Sequence, residues 1–247
     1  LSRFFHHMKT EDFTKTSKIF VALFAVIIPV ILIIKQPDLG TGLILLIVAI
    51  IMFFSSGIQV WKFIVFATGV VFCLPIIWHM MYEYQRKRVL MFLNPEQDPL
   101  GAGYNIIQSK IAIGSGGLFG KGLTKGTQSH LDFLPEHQTD FIFASLAEEL
   151  GFVGCLFLLI LYTMIILICL AIAINCKNIF GKFVVIGMAS ILFSHVFINI
   201  AMVMGLLPVV GVPLPFMSYG GTMMASMLVG MGFVMNVAVH KSTNLVR

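Results

Sequence analysis

Charge is what this sequence has least of. Asp, Glu, Lys and Arg make up 11% of its residues, against about 25% in an ordinary soluble domain. Apolar residues account for 58% and the mean hydropathy is +0.98. A chain of this kind cannot cover itself with a polar coat, so lipid has to be part of its solvent. It also has no basic arm with interleaved aromatics, which argues against nucleic acid as a partner. Cysteine is scarce: Cys73, Cys155, Cys169 and Cys176 lie within or at the end of apolar runs and form no CxxC pair. They are read as small buried hydrophobes, and neither a zinc site nor a disulfide framework is expected. There is no cleavable signal peptide pattern, no H-E-x-x-H, no EF-hand loop and no Ser-His-Asp arrangement.

What is present is a series of long apolar runs. Six of them read as membrane helices, at about 18–35, 39–55, 60–78, 152–175, 183–205 and 218–239. The expected fold class is an all-α polytopic membrane protein with six transmembrane helices and one long extracytoplasmic loop. Sidedness follows from the basic residues. Arg3, Lys9, Lys15 and Lys18 precede the first span, Lys62 follows the second, Lys177 and Lys182 follow the fourth, and Lys241 and Arg247 end the chain. With six spans all of these fall on one side, which the positive-inside rule makes cytoplasmic. The organisation is then a cytoplasmic segment 1–17, three spans in 18–78, an external loop 79–151, three spans in 152–239 and a cytoplasmic tail 240–247. Of the eleven acids, Glu11 and Asp12 are inside and the other nine are outside. That asymmetry points to the external loop as the place for chemistry.

Within the loop, Tyr104–Ala112 alternates as a short helix with one apolar face, and a glycine run follows, Ile113-Gly114-Ser115-Gly116-Gly117-Leu118-Phe119-Gly120-Lys121-Gly122. The run is not a Walker A loop, because position 115 is Ser and position 122 is Gly. Glycines with Lys110, Lys121 and Lys125 could offer N–H groups and cations to a pyrophosphate. Spacing alone favours plain tight turns. Farther on, Thr139 is expected to cap a helix with Asp140 as its first residue. The residues after Asp140 are strongly apolar, so this helix should dip into the membrane with a carboxylate at its mouth. An acid merely complementing the helix dipole is the plainer reading; an acid at a membrane mouth is also a functional candidate. His195 and Asn199 sit one turn apart inside the fifth span, where interhelical hydrogen bonding is favoured over a proton relay. The stretch from Leu206 to Gly221 holds three prolines, Pro208, Pro213 and Pro215, and three glycines, so it cannot be a regular helix. Irregular backbone near lipid is tolerated against protein or a wet cavity. A groove lining and a rigid hairpin are both open for it, with Ser218 and Tyr219 as its polar groups.

Five segments occur in an order that resembles one family. They are Gln36-Pro37-Asp38-Leu39-Gly40-Thr41; Asp98-Pro99-Leu100-Gly101-Ala102-Gly103-Tyr104; Gln108-Ser109-Lys110 through Gly117; Phe133-Leu134-Pro135-Glu136 with Thr139-Asp140-Phe141; and Leu207-Pro208 through Phe216 with Ser218-Tyr219-Gly220-Gly221. In this order they resemble the shape, elongation, division and sporulation (SEDS) family, and its rod-shape branch more than its division branch. The resemblance implies a ten-span protein of the bacterial inner membrane, of which this chain carries the last six spans. It implies a peptidoglycan glycosyltransferase that polymerises lipid II, an undecaprenyl-pyrophosphate-linked disaccharide pentapeptide. The implied partners are a class B penicillin-binding transpeptidase and the elongation machinery. The family's catalytic aspartate falls on Asp140. The candidates for holding substrate are Asp38, Gln108, Lys110, Lys121, Glu136, Ser218 and Tyr219. No cofactor is assigned, and a divalent cation, magnesium or manganese, is a candidate for neutralising the pyrophosphate. The family often has His two residues before its aspartate; here that residue is Gln138, and His137 stands one place earlier. A lipid II flippase and a non-catalytic scaffold for the transpeptidase are the alternative expectations.

Overall fold

The computed structural model describes residues 1–7, 16–94, 102–127 and 138–240. Among these residues every regular element is an α-helix: α1 (Ser2–His7), α2 (Thr16–Lys35), α3 (Leu39–Ser55), α4 (Val60–Met80), α5 (Glu83–Leu93), α6 (Ala102–Gly116), α7 (Ile142–Asn175), α8 (Ile179–Val203) and α9 (Gly221–Val239). Each of the six apolar runs carries a helix, the fifth ending at Val203 instead of 205 and the sixth beginning at Gly221 instead of 218. α7, α8 and α9 are long and apolar enough to cross a membrane; α2, α3 and α4 contribute shorter apolar stretches, Phe20–Lys35, Leu39–Ser55 and Val60–Ile76. Helix is the element lipid allows, because it satisfies its own backbone.

The chain divides into two compact units. One holds Leu1–Met80, Ile166–Ser194 and Leu228–Arg247; the other holds Met81–Ile165 and His195–Met227. In the first, Phe5 is buried, with its ring 5.6 Å from Phe53 and 4.9 Å from Phe183. Such edge and tilted ring pairs add to the area they bury. α2 and α3 form a tight antiparallel hairpin over Gln36-Pro37-Asp38, and the Asp38 carboxylate caps α3 by accepting from the Thr41 N–H at 3.0 Å.

The second unit contains the feature that organises the rest. α7 has 34 residues, about 51 Å of helix, which is more than a hydrocarbon core of about 30 Å needs. It is broken at Gly151, where φ is 65° and ψ is −164°. A break leaves carbonyls on one side and N–H groups on the other without helical partners. The glycine run supplies them. Lys121 N–H donates to Glu148 O and Gly122 N–H to Glu149 O, both at 3.0 Å. Phe152 N–H donates to Gly117 O at 2.9 Å and Val153 N–H to Leu118 O at 3.1 Å. The two backbones come so close that a Cβ on Gly151 would stand 2.3 Å from Gly120 N, and a Cβ on Gly116 would stand 2.0 Å from Ala147 O. The run is thus a series of turns that splices a broken helix.

Beneath the splice lies a fully buried carboxylate, Glu148. Its Oε1 accepts from Lys121 Nζ at 2.7 Å, from Thr127 N–H at 2.9 Å and from Thr127 Oγ1 at 3.0 Å. A buried carboxylate has to be matched in this way, by a cation and hydrogen bonds together.

One local expectation is corrected. Thr139 does not cap the helix and Asp140 is not its first residue: residues 138–141 form a turn and α7 starts at Ile142, with Ala144 N–H donating to Phe141 O at 2.9 Å. The reason is competition for carbonyls. Those of Gln138, Thr139 and Asp140 are taken by donors from elsewhere, Tyr219 N–H, Ser218 Oγ and Asn199 Nδ2.

Gly151→Ala is expected to lower stability by about 3 kcal/mol or more, from a disfavoured φ and a backbone clash together. Gly114→Ala is the control, since a Cβ there meets nothing within 4 Å; it should be neutral or stabilising by up to about 1 kcal/mol. Lys121→Met should cost about 3–5 kcal/mol by taking the Lys121 ammonium away from the buried Glu148 carboxylate, and adding Glu148→Gln should restore most of it. Thermal unfolding in detergent measures all four.

Candidate functional site

Three residues of the turn that carries Asp140 are held from behind. Asn199, with no exposed surface, lies in α8 and donates from Nδ2 to Asp140 O at 2.8 Å and to Val212 O at 2.7 Å. Ser218 Oγ donates to Thr139 O at 2.6 Å and accepts from Leu214 N–H at 2.7 Å. Tyr219 N–H donates to Gln138 O at 2.9 Å. The apolar turn between α8 and α9 is held in the same grip. His195, one helical turn before Asn199, has Nδ1 3.4 Å from Pro213 O, and the Tyr162 hydroxyl of α7 donates to Pro215 O. His195 and Asn199 therefore reach loop carbonyls, which no helix–helix pairing would have used.

The outcome is a fixed relation between the acid and the turn. Asp140 is partly exposed. A Cβ built on Gly211, where φ is +70°, would lie 3.5 Å from Asp140 Oδ2. The carboxylate thus stands against a glycine with no side chain to crowd it. Phe216 has φ +62°, a left-handed conformation that costs a bulky residue about 1–3 kcal/mol. It sits in a turn closed by Met217 N–H and Ser218 N–H, both donating to Leu214 O. Val212 and Leu214 are buried and anchor the turn.

The other candidates divide into those at this turn and those away from it. Lys110 is at it. Its side chain lies over Gly205, where a Cβ would stand 2.2 Å from Lys110 Cε and 2.6 Å from Nζ. α6 is pinned there by Ser109, whose buried hydroxyl donates to Val203 O at 2.9 Å. Gln108 is a partly exposed neighbour on the same helix. Lys110 and Asp140 thus both border the 205–220 segment, Lys110 at its start and Asp140 at Gly211. Ser218 is buried, with its hydroxyl engaged by two backbone groups, whereas the Tyr219 side chain is 80% exposed. Lys121 is away from the turn, beneath the splice, paired with Glu148. Asp38 belongs to the other unit, where it is exposed and caps α3. Glu136 lies outside the described residues. Among the described residues no three His, Cys, Asp or Glu side chains cluster as metal ligands.

Reading the sequence singled out Asp140, Lys110, Ser218 and a hydrogen-bonding role for Asn199, but missed the work of Tyr162 and Glu148. A signal was available for Tyr162: a polar side chain in an apolar run needs a partner. Which partner it takes is not written locally.

Comparison with known proteins agrees with this architecture. The family model for cell cycle proteins of the FtsW, RodA and SpoVE type matches residues 1–243. The chain is 52% identical over 223 residues to the peptidoglycan glycosyltransferase MrdB of Escherichia coli strain K12, covering 90% of this chain and 60% of that protein. It is 40% identical over 238 residues to the stage V sporulation protein E of Bacillus subtilis strain 168, covering 93% and 63%. Among solved structures, a chain of a peptidoglycan synthase complex described as coordinating polymerization and crosslinking superposes with a TM-score of 0.81 at 27% identity, over 98% of this chain and 67% of that one. The rod shape determining protein RodA of Thermus thermophilus shares the fold, with a TM-score of 0.64 at 24% identity, over 98% and 62%. The chain spans about 60% of the length of the curated relatives it matches. On a match that runs nearly end to end, this chain belongs to the FtsW/RodA/SpoVE family, the SEDS proteins.

Proposed function

We propose that this chain forms the extracytoplasmic catalytic face of a peptidoglycan glycosyltransferase that polymerises lipid II for cell elongation and rod shape. The observation that carries the reading is the clamped Asp140: its carboxylate stands against Gly211 while its own backbone and that of its two predecessors are held by Asn199, Ser218 and Tyr219. A positioned acid on a rigid turn is what proton abstraction needs. Support from outside the chain is the name of MrdB, a relative at 52% identity.

The proposed topology has six spans in the bacterial inner membrane, both ends cytoplasmic and residues 79–151 outside. Asp140 takes the proton from the 4-hydroxyl of one lipid II sugar as that oxygen attacks the anomeric carbon of the growing strand. The bond from that carbon to the pyrophosphate breaks, and undecaprenyl pyrophosphate leaves with the electron pair. An α-linked pyrophosphate becoming a β-1,4 link is an inversion, which takes one base and charge stabilisation. Lys110, beside the same turn, is the nearest assignment for the charge on the leaving group. Gln108, the Tyr219 side chain, Asp38 and Glu136 are proposed to position substrate. Ser218 acts through the Asp140 turn, and Lys121 through the splice. The proposed partners are a class B penicillin-binding transpeptidase and the elongation machinery. A synthase complex among the solved neighbours supports the first of these.

The test is Asp140→Asn in the intact protein, purified in detergent and given lipid II. Polymer formation should fall by about 10²–10⁴-fold with the unfolding temperature unchanged. Detergent offers no second compartment, so polymer from the wild type separates polymerase from flippase. Retained binding of the transpeptidase by the variant separates it from a scaffold. Normal polymer from Asp140→Asn rejects the base assignment. A chelator in the same assay decides between a magnesium or manganese ion and the lysines: polymerisation that survives it leaves neutralisation to Lys110.

A further inference from the structure

The glycine splice presents an apolar tip that the proposed reaction does not use. Leu118 is 65% exposed, Phe119 81% and Leu123 68%. The tip is held in one shape, with left-handed φ at Gly117, Gly120 and Gly122. Its inner side is polar and engaged, through Lys121 on Glu148. Its outer side is Leu118, Phe119 and Leu123, followed by the exposed Lys125.

The hydrogen bonds from Phe152 N–H to Gly117 O and from Val153 N–H to Leu118 O fix this tip against the first turn of the 152–175 segment. That segment is about 36 Å long and covers a hydrocarbon core of about 30 Å with little to spare. Phe152 and Val153 therefore mark the edge of the core, and both are more than half exposed, as lipid-facing residues are. Leu118 and Phe119 continue the same surface outward. An apolar outer side, a polar inner side and a lysine two residues on are the marks of a segment lying in the membrane interface.

We propose that Leu118, Phe119 and Leu123 insert into the lipid leaflet on the Asp140 side, taking phospholipid acyl chains as their partner and fixing the depth of the Gly151 break. Among the described residues the tip offers three exposed apolar side chains, whereas a stable protein interface engages about 20–30 residues a side. Continuity with the lipid-facing surface of α7 favours lipid. The inference rests on α7 crossing the membrane and is independent of the role given to Asp140.

The experiment uses Phe119→Trp in the intact protein, reconstituted in phosphatidylcholine vesicles. The wild type, which carries Trp61 and Trp78, gives the background to subtract. Lys125→Trp is the water-facing control. Insertion at the interfacial depth of about 5–10 Å should let lipids brominated high on the acyl chain remove about half of the emission that Phe119→Trp adds, while aqueous iodide leaves that emission unchanged. Iodide should quench Lys125→Trp. Equal iodide quenching of the two variants overturns the proposal. So does a Phe119→Trp emission that becomes shielded from iodide only when the transpeptidase is added, since that outcome makes the tip a protein-binding surface. Phe119 is largely exposed, so the substitution leaves packing intact.

Discussion

A backbone polar group that loses its helical partner has to find another, and this constraint accounts for the arrangement of the second unit. Breaking α7 at Gly151 unpairs carbonyls on one side and N–H groups on the other. The turns from Gly116 to Gly122 answer with two donors and two acceptors in register. That exchange demands backbone approaching backbone, and the contacts at Gly116, Gly120 and Gly151 leave no room for a Cβ. The glycines are there for proximity as much as for their φ. The buried Glu148 follows from the same geometry, because a splice this close covers whatever lies beneath it. A carboxylate in that position is matched by the lysine of the splice and by Thr127, a few residues on.

The same logic operates at the other end of the short helix. A chain entering an apolar helix from the 138–141 turn presents carbonyls that helix 142–150 does not use. Two side chains and one backbone N–H take them. Asn199 does this from inside an apolar helix by serving two loops with one amide. Its Oδ1 is buried with no partner, a cost of about 1–3 kcal/mol. That cost is set against a double clamp on Asp140 O and Val212 O. Phe216, in a left-handed conformation a few residues away, is a second local cost in the same turn. Local costs gathered around one acid are characteristic of places shaped for something other than stability.

Hydropathy made the helices legible. The runs at 39–55 and 152–175 coincide with α3 and with the part of α7 beyond its break. Failure of the Walker A pattern, with tight turns preferred, was readable from Ser115 and Gly122. What the sequence does not carry is the identity of distant partners. Lys121 and Glu148 are 27 residues apart, Asn199 and Asp140 are 59, and Ser218 and Thr139 are 79. Periodicity and capping rules describe neighbours within a turn or two. They assigned Thr139 to a cap and offered Lys121 to a pyrophosphate because the competing groups were invisible to them. Asp140 was legible as an acid at an apolar mouth, and ordered motifs supplied its proposed role; neither could say that its main chain is clamped.

The two clamps bear on one element. Helix 142–150 is far shorter than the 12–15 residues or so that an isolated helix needs to be even marginally stable in water. It persists because Phe141, Phe143, Ala144 and Ala147 are buried and because both ends are held, one by Asn199, Ser218 and Tyr219, the other by the glycine splice. Neither end is tied down by the helix itself. The position of the Asp140 main chain is therefore set jointly by contacts at residues 199 and 218 and by backbone pairing at residues 117–122, on the far side of the short helix. A short rigid rod held at two points has little freedom to tilt. The main chain of the acid inherits that rigidity without standing on a regular helix, and its side chain keeps the partial exposure that the proposed role needs.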